Sequence, residues 1–389
     1  MTTPPLVYLV AAERSGELLG ADLIRSLRKA RGDSIAFAGV GGAAMAAEGV
    51  PSAVDIDGLA IIGWIDGLLA WRRVKERVAL TVADILARKP DVVVLIDSWG
   101  FMLRVAQGVR AADPSIKLIK YVGPQVFATR PGRAKTLAET VDHLLSIVSF
   151  DAPFYTEFGL PVTFVGNPTL ERMPVGDGAA FRARHDLPAE AEAMLVLFGS
   201  RPSEIRRMYD VLVRALARVL AHRPALRLVI VLAEPVKDVV REKLAAETRL
   251  PDDLIIVEEA EKGDAFAAVD LALATSGTVI TELATSGVPT VAAYRLGWIT
   301  WALIRMLNVM KSPYTTLVNM ASDSNLVLEH VQTRCTAGRL STSMESLLQA
   351  PQRRLEIGQA LRQATDDMRG EGRASDRAAE VVLQYLPQV

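Results

Sequence analysis

Asp97 closes the apolar run 91–96 (DVVVLI). A carboxylate at the end of a buried strand is costly unless water or a reaction partner meets it, so Asp97 is either solvated or used. The turn Thr275, Ser276, Gly277, Thr278 follows another apolar run and leads into a helical pattern containing Glu282. A strand, a small-residue turn and a helix start direct free N–H groups outward. That arrangement suits phosphate, and Ser276 and Thr278 add hydroxyls. The same turn also serves as a plain helix cap. Glu282, one helical turn past Thr278, suits ribose hydroxyls if a nucleotide binds there and is a solvated helix residue if none does.

The segment 198–204 (FGSRPSE) has the same strand-to-helix setting. Gly199 permits close backbone approach, Ser200 follows it, and Arg201 offers a forked guanidinium to a diphosphate. Two phosphate-facing turns in one half of the chain favour a nucleotide-diphosphate site over coincidence. In the other half, 13–17 (ERSGE) lies between the first strand and first helix, where doubly wound sheets meet ligands. Beside Glu13, Ser15 and Gly16 either cap the helix or meet a phosphate or hydroxyl. The loop 121–127 (YVGPQVF), with Arg130 and Arg133 after it, offers aromatic and cationic groups to a sugar or phosphate. Gly39, Gly41 and Ala44 match the G-x-G-x-x-A dinucleotide fingerprint, with Asp55 and Asp57 at a loose distance. This match follows the second expected strand rather than the first, so it reads as a tight turn and disfavours a nicotinamide enzyme.

Rigid elements must hold these segments. Strands are expected at 6–11, 35–39, 91–96, 117–122 and 143–147, with a helix at 15–30. A polar, Pro- and Gly-containing break falls between 167 and 188, and a second series follows at 194–198, 226–232, 254–257, 271–274 and 290–293. Short apolar runs separated by helical stretches are the pattern of parallel strands buried on both faces. The expected fold class is α/β, with two Rossmann-like parallel-sheet domains facing a cleft, at 1–168 and 169–350. A charged helical segment, 351–389, follows as one long amphipathic pattern. It is expected to pack toward the first domain or a partner subunit.

Composition narrows the function classes. Among 389 residues, 44 Lys plus Arg balance 45 Asp plus Glu, so no global charge favours nucleic acid. Cys335 stands alone and fits a reducing compartment, and the four histidines lack paired ligand spacing, so no metal is expected. The N-terminus has no basic region and its apolar run stops at Glu13, unlike a signal peptide. No run approaches the roughly 20 apolar residues that span a bilayer. The Trp-containing stretches 59–71 and 297–310 carry nearby basic residues. They suit either core helices or a membrane surface, so the chain is expected to be cytosolic or attached to such a surface.

In order and spacing, these motifs resemble the lipid-A-disaccharide synthase family, inverting transferases of the GT-B fold. The resemblance runs from Val7 to Gln332. AERSGELLGADLI (12–24) resembles the family's G-E-x-S-G-D opening, GVGGAAM (39–45) its glycine turn, and IDSWGF (96–101) its I-D-x-P-D-F. YVGPQVFATRPGR (121–133) resembles Y-V-S-P-x-V-W-A-W-R, and FVGNP (164–168) resembles F-[IV]-G-H-P. LFGSRPSEI (197–205) resembles L-P-G-S-R-x-x-E, and TSGTVITE (275–282) resembles A-S-G-T-x-x-L-E. PTVAAYR (289–295) and LVNMASDSNLVLEHVQ (317–332) resemble the closing segments.

The resemblance implies transfer of 2,3-diacylglucosamine from its UDP donor to 2,3-diacylglucosamine 1-phosphate, giving a β-1,6-linked disaccharide and UDP without a cofactor or metal. It places the acceptor-activating base on Asp97 and acceptor-side binding on Glu13, Ser15 and Gly16. It places the donor on Gly199, Ser200, Arg201, Ser276, Gly277, Thr278, Glu282, Asn319, Glu329 and Gln332. The implied partners are the UDP-sugar, the acylated glucosamine phosphate, a membrane surface at the inner face of the bacterial cytoplasmic membrane and a second copy of the chain. Nucleic acid is not among them. Within the motifs, Ala12 and Glu17 replace glycine and aspartate, and Trp99 and Gly100 replace proline and the second acid. Phe127 and Thr129 replace tryptophans, Asn167 a histidine, and Phe198 a proline. The changes crowd the acceptor half, so a paralogue with another lipid acceptor, or a silent nucleotide- or lipid-binding homologue, is the alternative.

Overall fold

The computed structural model describes residues 4–56, 67–127, 130–173, 175–275, 277–298, 301–302, 306 and 312–387. It divides into two units, one of residues 1–171 with 369–389 and one of residues 172–368.

The first unit is built on a six-stranded parallel sheet. Its strands are β1 (Leu6–Ala11), β2 (Ala36–Val40), β3 (Val92–Ile96), β4 (Lys117–Tyr121), β5 (His143–Ser146) and β6 (Val162–Phe164). Their spatial order is β2-β1-β3-β4-β5-β6, so the winding direction reverses between β1 and β3. Every residue of β3 is buried, as a central strand covered on both faces requires. Alternation divides the core. Tyr8, Val10, Val93 and Leu95 pack with Met102 and Val105 on one face, while Val7, Leu9, Val94 and Ile96 pack with Leu23, Ile24 and Leu27 on the other.

The helix Arg14–Arg31 shows how sequence places the site. Gly20, Leu23, Ile24 and Leu27 are buried at the three- and four-residue spacing of one helical face. Burying each of the larger side chains contributes about 1.5–3 kcal/mol. Glu17 in the first turn and Arg28, Lys29 and Arg31 in the last complement the helix dipole, and Gly32 ends the helix at φ 57°. A Cβ on Gly20 would meet Met45 Sδ at 2.8 Å and Ile96 Cδ1 at 3.2 Å. The helix start is therefore seated close against the end of β3. A polar residue at Leu27 would break this seat.

The second unit carries β7 (Ala193–Leu197), β8 (Arg227–Leu232), β9 (Ile255–Glu258), β10 (Leu271–Thr275), β11 (Thr290–Tyr294) and β12 (Leu328–Val331). They form another parallel sheet, ordered β12-β11-β10-β7-β8-β9, which reverses between β7 and β10. The helix Pro202–His222 lays Ile205, Met208, Leu212, Leu216 and Val219 on this core.

The C-terminal segment is helical, as its amphipathic pattern leads one to expect. It forms two helices, Pro351–Arg369 and Ala374–Gln384, separated by Gly370 and Gly372 at φ 70° and 64°. That left-handed backbone ends a helix, and glycine adopts it without strain. The last helix lies on Arg14–Arg31, where Ser26 Oγ donates to Asp376 Oδ1 at 2.6 Å.

Candidate functional site

Open α/β sheets take their ligands outside the carboxyl ends of the strands, where the winding reverses. In the first unit this point is the paired ends of β1 and β3. Glu13, Ser15 and Gly16 follow β1, and Asp97 follows β3. The structure brings these four together. The sequence leaves Ser15 two roles, a helix cap or a ligand contact. Ser15 lies inside the first turn, with Glu13 at the N-cap, and its Oγ donates to Asp97 Oδ2 at 3.3 Å. Gly16 is buried behind it, against Ala11 and the Ile96 carbonyl.

Asp97 and Ser98 hold left-handed backbone, at φ 54° and 35°. Such a conformation costs a residue with a side chain about 1–3 kcal/mol and persists where the surroundings over-determine it. Asp97 N donates to Tyr121 O at 2.9 Å, and Met102 N to Ser98 O at 3.1 Å. The turn thus presents a half-buried carboxylate beside the Trp99–Ala112 helix start.

Beneath the turn lies a residue that the sequence reading missed. Lys120, on β4, is 2% exposed. Its ammonium donates to Asp97 O at 2.5 Å, Tyr121 O at 3.2 Å and Leu95 O at 3.3 Å. Burial pushes its pKa down to about 7, partly opposed by the Asp97 carboxylate. The sequence signal was a lysine within the buried part of the strand KLIKY, directly after Leu118 and Ile119.

The neighbouring loop does not present its aromatic residues as expected. Tyr121 and Phe127 are buried, and the Phe127 ring packs edge-on against Phe150 at 4.9 Å. Trp99 and Arg133 form the cationic-aromatic pair instead, 5.2 Å apart. The Gly39 turn is filled by the protein itself. A Cβ on Gly39 would meet Leu9 O at 2.3 Å, and one on Gly42 would meet the Glu17 carboxylate at 2.0 Å. That leaves no room for a pyrophosphate against those glycines, in agreement with their reading as a tight turn.

In the second unit the reversal lies between β7 and β10, and a cavity of 430 Å³ opens there. Its walls include Gly199, Ser200 and Arg201 after β7 and Gly277, Thr278 and Glu282 after β10. Gly199 has φ 112°, and a Cβ there would meet Glu204 Oε2 at 2.7 Å. Glu204, which also lines the cavity, accepts the amides of Ser200 at 3.0 Å and Arg201 at 3.3 Å. The first of the two phosphate-facing turns therefore has those amides occupied, while the exposed Arg201 side chain remains available for charge. Gly277 has open space at its Cβ position, at the start of the helix Thr278–Thr285. The first amides of a helix lack intrahelical partners. Glu282 is half-buried and paired with Lys262 Nζ at 2.6 Å, another cavity residue that carried no sequence signal. Ser276 lies outside the described residues, as do parts of the Trp-containing stretches, 57–66 and, in the second, 299–300, 303–305 and 307–311.

Asn319, Glu329 and Gln332 lie in an internal network of the same unit. Asn319 is fully buried and bonds Val327 through both its amide ends. Glu329 accepts the amides and hydroxyls of Thr315 and Thr316. Gln332 bonds the backbone of Leu296 in both directions. These groups brace the loops after β11 and β12, whereas the 430 Å³ cavity is lined by the glycine turns.

Comparison with known proteins fits this geometry. Residues 7–383 match the lipid-A-disaccharide synthetase family. A lipid-A-disaccharide synthase of Rhodospirillum centenum is 38% identical over 98% of this chain and 95% of its own. One from Paramagnetospirillum magneticum is 34% identical over 98% of both. Among solved structures, a putative UDP-N-acetylglucosamine 2-epimerase from Listeria monocytogenes superposes with TM-score 0.66 at 14% identity, covering 98% of this chain and 97% of that one. A glycosyltransferase from Rickettsia africae gives 0.59 at 12% identity, covering 99% of each. These likenesses establish the two-sheet GT-B fold expected from the sequence. The chain belongs to the lipid-A-disaccharide synthase family of glycosyltransferases.

Proposed function

We propose that the chain is an inverting glycosyltransferase that moves 2,3-diacylglucosamine from its UDP donor to 2,3-diacylglucosamine 1-phosphate. The observation that carries this reading is the contrast between the two reversal points. One presents a carboxylate on a strained turn, and the other a cavity with a guanidinium and a helix start. Asp97 takes the proton of the acceptor's 6-hydroxyl as that oxygen attacks the anomeric carbon. The bond from this carbon to the β-phosphate oxygen breaks, and its electron pair leaves with UDP. Attack opposite the leaving group inverts the anomeric carbon and gives the β-1,6 link. Arg201 and the amide end of Thr278–Thr285 meet the growing diphosphate charge, and Glu282 holds ribose hydroxyls once it shares or releases Lys262.

The acylated substrates assign the work to the inner face of the cytoplasmic membrane, with the protein held there peripherally. Trp298 and Met306, 70% and 73% exposed, support this assignment. Among the described residues no helix is long and apolar enough to cross a membrane.

The test is an assay with both lipid substrates in detergent micelles, comparing wild type with Asp97→Asn. Disaccharide formation that falls by about 10²–10⁴-fold in the variant is expected of a lost general base. UDP binding without turnover on any lipid acceptor would sink the enzymatic reading. Turnover with a different acceptor would keep the mechanism and change the substrate. The exposed Gly100, where the family pattern has an acid, is the observation that favours this second outcome.

A further inference from the structure

Three non-glycine residues with left-handed backbone gather at the adjoining ends of β3 and β4, namely Asp97, Ser98 and Val122 at φ 54°, 35° and 68°. For β-branched Val122 this is a true outlier. Strain concentrated this way persists only where something fixed opposes it. The Lys120 side chain enters from β4 on the core face that carries Leu118 and Leu95, and its ammonium reaches main-chain oxygens at both strand ends. An ammonium has three donors and no acceptor, and three carbonyl oxygens stand within 3.3 Å of it. Tyr121 O accepts twice, from Lys120 and from Asp97 N. The ammonium and the strained turn thus share one set of hydrogen bonds.

We propose that Lys120 is a positioning residue for Asp97, its buried ammonium clamping the ends of β3 and β4 so that the left-handed turn holds the carboxylate toward Ser15 and the acceptor. The proposal rests on the reading of Asp97 as the base. Lys120 itself touches main-chain oxygens and acts through the turn. The buried charge supports this assignment, since a lysine kept from water and matched to three carbonyls is poorly replaced by an apolar side chain of similar length.

The test combines kinetics with amide exchange. Lys120→Met, assayed well below its Tm, is expected to lower kcat at least 30-fold and leave the donor KM within twofold. In the double variant with Asp97→Asn, Lys120→Met is expected to cost nothing further, because its effect passes through Asp97. A role confined to general stability would give multiplied losses and a fall in kcat that follows Tm. Should the variant fail to fold, the wild-type protein still decides. The Asp97 and Val122 amides, donors to Tyr121 O and Leu145 O, are expected to exchange as slowly as those of central β3. Exchange at the rate of a frayed loop would overturn the clamp. Activity lost in Asp97→Asn but kept in Lys120→Met would overturn this inference alone. A wild type without turnover would sink the function reading and leave the exchange result to judge the clamp.

Discussion

The two reversal points share topology and differ in how they carry strain. After β7, the positive-φ position belongs to Gly199, and the following amides are closed by the Glu204 carboxylate. After β3, the same kind of backbone is carried by Asp97 and Ser98, with a buried lysine beneath them. Glycine is the inexpensive residue for left-handed backbone. Where a chain retains a side chain in that conformation, the side chain must give something the turn alone cannot. The second unit needs backbone and space there, while the first needs a carboxylate. The opposite chemistry of the two edges, anion in one and cation with amides in the other, follows from this difference.

The comparison is broken most directly by charge removal at each edge. Asp97→Asn is expected to abolish most turnover while UDP affinity, measured by calorimetry, stays within twofold. Arg201→Ala is expected to weaken UDP binding as well as slow turnover, because it removes a cation from the growing diphosphate charge. A hydrogen bond to a charged group is worth about 1.5–3 kcal/mol, so UDP should bind about 10–150-fold more weakly. The Arg201 side chain is 73% exposed and its ion pair with Glu204 spans 3.5 Å, so its loss should barely move Tm. Equal effects of both variants on UDP affinity would show that the edges are not specialised as described.

Lys120 sharpens the same contrast through pH. Its ammonium pKa is about 7 when folded, against the ordinary 10.5. Between these values the unfolded chain binds a proton that the folded chain lacks, so stability contributed at this position rises with pH across the window. Below pH 7 the full cost of burying the charge applies. Tm of wild type minus Tm of Lys120→Met should therefore climb from pH 7 toward pH 10. A flat difference would mean that the amine is solvated and that the first unit gives up no stability to hold its turn.

Much of this was legible in the sequence because the signal was local. The run DVVVLI reads as a central strand since every residue is apolar, and β3 is buried throughout. The glycine turns at Gly199 and Gly277 are local signals in the same way, and both line the cavity of the second unit. What escaped was carried by long-range pairing. β6 is three residues long, and β12 (LEHV) has Glu and His in its middle, so neither shows an apolar run. Glu204 closes the segment FGSRPSE, but its bonds to the Ser200 and Arg201 amides are set by the fold of the turn. The bonding of Lys120 cannot be read in one dimension, because its acceptors include Leu95 on the neighbouring strand and Asp97 just after it. Asn167 stands where the family pattern has histidine, and its Oδ1 accepts Thr169 N at 3.1 Å, which is the work of a helix cap.

The smallest expected effect lies at Gly100. It is the second residue of the helix Trp99–Ala112, whose first turn contains no acid. A Cβ there would meet Arg104 Nη1 at 3.5 Å, an ordinary contact with a flexible side chain. Gly100→Asp is therefore accommodated without displacement of the backbone. Replacing a helical glycine gains roughly 0.5–1 kcal/mol, and a carboxylate beside a helix N-terminus adds about 0.3–1 kcal/mol. Repulsion from Asp97, three residues back, offsets part of this gain, so Tm should rise by about 2–4 °C. UDP affinity should stay constant, because the change lies on the carboxylate edge. Turnover that rises with 2,3-diacylglucosamine 1-phosphate would place acceptor selection at this position. Unchanged turnover with the expected rise in Tm would mean that acceptor choice is made elsewhere on the first unit, and that the glycine weakens only its helix.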